Sequence, residues 1–116
     1  MNNPIGVMQG RLLPKYKGLY QAHPVGYWQD EFPKAAELGL DCIEFILDYN
    51  DADQNPLMTL AGIEEIKVVS DQTGVKVLSV CADYFMEAPL HDKDCQVAEH
   101  SVEVLKQLLE SSMKLG

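Results

Sequence analysis

No apolar run in this chain approaches the ~20 residues that span a bilayer. The opening segment, MNNPIGVMQGRLL, has no basic stretch followed by an apolar one, so it does not read as a secretory signal. Basic residues are scarce: nine Lys and Arg stand against eighteen Asp and Glu, a net charge of −9. That balance opposes attraction to a phosphate backbone, and nucleic acid is not expected as a partner. Cysteine is sparse and odd in number, with Cys42, Cys81 and Cys95 showing no CxxC spacing. The three read as small residues in a reducing cytoplasm rather than as thiol chemistry. Neither G-x-G-x-x-G after the first strand nor G-x-x-x-x-G-K-[ST] occurs, which weakens nucleotide-binding folds.

What is there is globular. The 116 residues are 47% hydrophobic and 23% charged, enough to build one ordinary core. Residues 5–10, IGVMQG, predict a first strand. Residues 11–27 hold Pro14, Gly18, Pro24 and Gly26 and predict a long loop, a length often used for function. A helix over 28–38 has Trp28, Phe32, Ala35, Ala36 and Leu38 on one side, Pro33 in its first turn and Gly39 at its end. CIEFIL, 42–47, predicts a parallel strand covered on both faces. Thr59 caps a helix over 60–73 with Leu60, Ile63, Ile66 and Val69 inward, closed by Gly74. KVLSVC, 76–81, predicts the third strand. Asp94 then caps a long helix with Val97, Ser101, Val104, Leu105 and Leu108 inward, and Gly116 is expected to close it.

The order is βαβαβα, with strands beginning about 35 residues apart, one strand–helix unit each. Long loops follow the strands and short ones follow the helices, which places the working end at the carboxyl ends of the strands. A doubly wound sheet and a β/α barrel both allow this order. A closed barrel typically takes about 250 residues, so this chain would supply three of its eight units.

IGVMQGRLLP, then W-x-x-EF-x-x-AAELGLDCIEF, then GIEEIK and TGVKVLSVCADYFM, resembles the sugar phosphate isomerases/epimerases of the xylose isomerase-like TIM-barrel superfamily. The resemblance runs from Ile5 to Gly116 and rests on the ordered set rather than on one motif. It implies an α/β fold: the first three βα units of a (β/α)8 TIM barrel, cut before strand four, with residues 1–116 forming the N-terminal part of one domain. It implies a divalent metal held by two Glu, one Asp and one His in the second half of the barrel. The two glutamates would move a proton next to a carbonyl through an enediolate. Those positions fall outside this chain, so no metal ligand and no catalytic base are carried onto it. The fragment alone is expected to be inactive.

The residues of this half that bear on chemistry are Gln9, Arg11, Glu44, Asp83 and Tyr84. Gln9 and Arg11 are expected to point the same way at the end of strand one, toward sugar hydroxyls or a phosphate. The alternative is an Arg11–Glu44 ion pair that fixes the strand ends. Glu44, inside an apolar strand, either positions substrate or forms a buried ion pair. Asp83 and Tyr84 contact a polyol, or Asp83 closes its loop on backbone N–H groups. Tyr16, Tyr20, Tyr27 and Trp28 wall a sugar site or cover the barrel end. His23, His91 and His100 do not gather as metal ligands, and the early strand ends lack the histidines of endonuclease IV-type relatives.

Two further readings stay open. One is a non-catalytic module that binds a partner or self-associates through exposed sheet edges. The other is a lyase or dehydratase of the same superfamily.

Overall fold

The computed structural model describes residues 3–115. Three strands, β1 (Gly6–Met8), β2 (Cys42–Ile46) and β3 (Lys76–Cys81), form one parallel sheet in the order β1-β2-β3. Between them run α1 (Glu31–Glu37) and α2 (Leu60–Thr73). After β3 come a single turn, α3 (Tyr84–Glu87), and the long α4 (Cys95–Leu115). No helix among the described residues is long and apolar enough to cross a membrane. The reading of Gly116 as a helix terminus lies outside the described residues.

The second and third units follow their sequence signals closely. The Thr59 hydroxyl accepts the Gly62 N–H at 2.9 Å, and Gly74 closes α2 with φ 75°. The Asp94 carboxylate accepts the Gln96 N–H at 2.9 Å and starts α4. The first unit departs from its signals. β1 stops at Met8, because Gly10 takes φ 93° and turns the chain out of the sheet. The helix expected over 28–38 is a 3-10 turn, Trp28–Asp30, running into a short α1.

Three apolar positions expected inside lie outside. Leu38 is 65% exposed, because it follows Phe32 by six residues and falls about 120° from the buried side. Leu60 is 61% exposed; the 3-10 turn Pro56–Met58 inserts Leu57 into the core ahead of the helix. Ala36 is likewise exposed.

Phe32 of α1, Ile63 and Ile66 of α2, and Leu108 of α4 join Ile43 and Phe45 of β2 in one core. α1, α2 and α4 therefore cover the same face of the sheet. α4 is fastened there by two serines: Ser101 Oγ donates to the Ala88 carbonyl at 2.7 Å and Ser111 Oγ donates to the Leu57 carbonyl. The opposite face carries Cys42 and Glu44, half-buried, against the exposed Lys76 and Ser79. Both faces of β2 were expected to be covered; the helix side is sealed by apolar packing, while on the other face Ile46 is buried but Cys42 and Glu44 are only half-buried. β3 slips register between Ile43 and Glu44, leaving Leu78 without a partner in β2. Such a bulge moves the following side chains to the other face, so that Val77 and Val80 both reach the core.

Candidate functional site at the carboxyl ends of the strands

The ends of β1 and β2 are joined by side chains rather than by more ladder. Backbone pairing stops where the Gln9 N–H donates to the Glu44 carbonyl at 3.0 Å. The buried Gln9 side chain then turns back along the seam. Its Oε1 accepts the Ile46 N–H at 2.8 Å, a rung the strand backbone would supply if it ran on.

His23 lies beside Gln9, with Nδ1 3.2 Å from Gln9 Oε1. Its ring packs 5.3 Å from that of Phe45 and 6.4 Å from that of Trp28, centre to centre. The His23 backbone N–H donates to Asp48 Oδ2 at 3.0 Å, which fastens the loop to the end of β2. Burial among aromatic rings lowers the His23 pKa to about 4, so the ring is neutral at pH 7. Burial also raises the Asp48 carboxyl, against the opposing effect of the His23 N–H.

Glu31, at the start of α1, is buried beneath the same loop. Both of its carboxylate oxygens accept the Gly10 N–H, at 2.8 and 2.9 Å, and Oε2 also accepts the Leu12 N–H at 3.1 Å. Burial raises its pKa, and the two backbone N–H groups pull it back. Neither Glu31 nor Asp48 is among the residues expected at the site, and His23 is expected there only as a candidate metal ligand. The available signal was Trp28-x-x-Glu31-Phe32, an acid set between two aromatic core residues in a first helical turn.

The expected site residues do not converge as one set. Gln9 is buried in the seam, whereas Arg11 is exposed and its Nη2 donates to Gln21 Oε1 at 3.1 Å. The expected alternation fails because Gly10 breaks the strand between them. The Arg11–Glu44 ion pair does not form, and Glu44 makes no ion pair among the described residues. Tyr84 turns into the core, its ring 5.2 Å from Tyr49 and 5.3 Å from Phe85, and does not face outward toward a polyol.

Asp83 accepts the Cys81 thiol at 3.3 Å instead of closing its loop on backbone N–H groups. Burial and that hydrogen bond, with Glu44 and Asp48 nearby, push the Cys81 thiol up to about 11. These effects favour the protonated thiol at neutral pH. Glu44, Asp48 and Asp83 thus make the open end of the sheet acidic.

Loop 11–27 is tied down by its aromatic residues. Tyr16 Oη donates to Asp51 Oδ2 at 2.7 Å, beside the Lys17–Asp51 ion pair at 2.9 Å. Tyr27 Oη donates to the Pro14 carbonyl at 3.1 Å. Trp28 is a core residue, while exposed Tyr20 lies under the Lys15 ammonium at 4.8 Å. These contacts favour the covering role over an aromatic wall.

Among the described residues, no three His, Cys, Asp or Glu side chains gather in a way that could hold a metal ion. Glu44 and Asp83 both lie near Cys81 at this end of the sheet. No family model and no curated protein matches the sequence.

Proposed function

We propose that this chain is the N-terminal portion of a sugar or sugar-phosphate isomerase/epimerase, built as the first three units of a xylose isomerase-like (β/α)8 barrel. The observation that carries the reading is the placement of α4. A connection between parallel strands is right-handed in nearly all proteins, so the face a helix covers gives the direction in which the sheet grows. α1 and α2 step from β1 to β2 to β3 across one face. A doubly wound sheet reverses after such a half, which sends the next helix to the other face. α4 stays on the face of α1 and α2, so a following strand would add beside β3 and continue the curl of a barrel.

The outer edge of β3 fits that addition. Leu78 there is 54% exposed, and a groove of about 370 Å³ runs between β3 and α4, lined in part by Val77, Leu109 and Leu115. The sheet face away from the helices, with Glu44 and Ser79, would then line the barrel interior. The metal of this superfamily would polarise the substrate carbonyl. The described residues do not form its site. What this half supplies is the floor and rim of a polyol site: Glu44 and Asp83 as hydroxyl acceptors, with loop 11–27 as cover. A neutral, reducing, cytoplasmic setting belongs to the same proposal.

The test is deuterium incorporation next to the carbonyl of a panel of aldoses, ketoses and their phosphates, in D₂O with Mn²⁺ or Co²⁺. The 116 residues alone are expected to exchange nothing, and the polypeptide of the full reading frame is expected to exchange. Turnover by the 116 residues alone would show that the catalytic groups lie here and overturn the reading. So would a full reading frame that adds no strand after α4.

The exposed edge of β3 also favours self-association of the isolated chain, as an unpaired strand is a template for another. Size-exclusion chromatography with light scattering is expected to give a mass above the 13.0 kDa of one chain. A clean monomer that unfolds cooperatively would count against an open barrel segment.

A further inference from the structure

Two nitrogen atoms in the β1–β2 seam, Gln9 Nε2 and His23 Nε2, are buried and have no hydrogen-bond partner among the described residues. Buried polar groups are almost always paired. The chemistry of each can be worked out from its neighbours. The Ile46 N–H donates to Gln9 Oε1 at 2.8 Å. Flipping the amide would set one N–H against another, so this oxygen is an acceptor and Gln9 Nε2 keeps two protons to donate. His23 Nδ1 is 3.2 Å from the same oxygen, so Nδ1 must carry the ring proton. His23 Nε2 is then a bare lone pair. One unpaired donor and one unpaired acceptor remain, each two covalent bonds from an atom of the Gln9–His23 hydrogen bond.

We infer that Gln9 and His23 form a binding site for a single hydroxyl group, whose oxygen accepts a Gln9 Nε2 proton and whose own proton is given to His23 Nε2. Other small groups fit less well. A carboxylate or phosphate oxygen accepts only and would face the imidazole lone pair. An ammonium donates only and would face the amide N–H groups. A hydroxyl does both, is neutral, and suits a neutral ring enclosed by Phe45 and Trp28. It would sit at the carboxyl ends of β1 and β2 under loop 11–27. The hydroxyl has two sources, an internal water or one hydroxyl of a polyol. The inference does not depend on the isomerase reading.

The experiment is NMR on the uniformly ¹⁵N-labelled full chain. Long-range proton–nitrogen spectra are expected to show His23 protonated on Nδ1, with Nε2 shifted as a hydrogen-bond acceptor. A water source gives a cross-peak from bound water to the Gln9 side-chain amide protons that persists when glycerol is titrated in. A polyol source gives loss of that cross-peak, or its absence from the start, with saturable glycerol-induced shifts of Gln9 Nε2 and His23 Nε2. An Nε2-protonated His23 overturns the site. So does the expected tautomer with neither water contact nor response to glycerol.

Discussion

Replacing Gly10 with alanine is expected to destabilise the fold by about 2–5 kcal/mol. Two costs combine. At φ 93° an L side chain is strained, and the added Cβ would run into the Tyr20 carbonyl oxygen and stand 2.8 Å from that of Ala22. Both obstacles are backbone, so neither can swing aside. The Gly10 N–H is also the donor shared by both Glu31 oxygens, and any shift of the chain uncouples the loop from α1. Gly18→Ala is the control. Gly18 has φ 82° but no atom within 4 Å of an added Cβ, so only the backbone strain of roughly 1–2 kcal/mol applies. Urea unfolding followed by Trp28, the single tryptophan, measures both. Equal losses for the two variants would mean that the close approach at Gly10 is not real.

The second large effect is a loss of stability in mild acid. A folded pKa of about 4 for His23, against an ordinary 6.5, means that the unfolded chain takes up a proton where the folded chain refuses it. Stability therefore falls as pH drops from about 6.5 and levels off below about 4, by up to about 3 kcal/mol. Glu31 and Asp48 act in the opposite sense. Burial raises both, so the folded state binds their protons more tightly and gains as they are protonated. A comparison with His23→Asn removes that background, since an asparagine amide can still donate to Gln9 Oε1 but does not titrate. The wild-type chain is expected to lose its margin over the variant between pH 6.5 and 4. Parallel stability curves across that range would show that His23 is not held neutral by the fold.

The second and third βα units were legible because their signals are local. The Thr59 cap, the Leu60–Ile63–Ile66–Val69 stripe and Gly74 all act within one helix, and the structure matches them except at Leu60, which is exposed. Glu44 was legible as a polar interruption, though the open sheet face means that it needs no ion pair. The site was less legible because its contacts join distant parts of the chain. Glu31 reaches Gly10 across 21 residues, and Gln9 reaches Ile46 across 37. No periodicity records such a pairing. Arg11 shows the limit of alternation: the rule that placed it beside Gln9 holds only while the strand lasts, and one glycine ended it. Tyr84 shows another, since a polar tip at a strand end does not reveal whether the ring turns inward.

The glutamine rung at the β1–β2 seam also separates two kinds of motion. The Ile46 amide hydrogen is covered by a side chain, so solvent reaches it when one glutamine rotates, without the strands parting. The amides of the neighbouring backbone rungs exchange only when the sheet opens. Hydrogen exchange at the Ile46 amide is therefore expected to follow the motion of Gln9 and loop 11–27 rather than the unfolding of the domain.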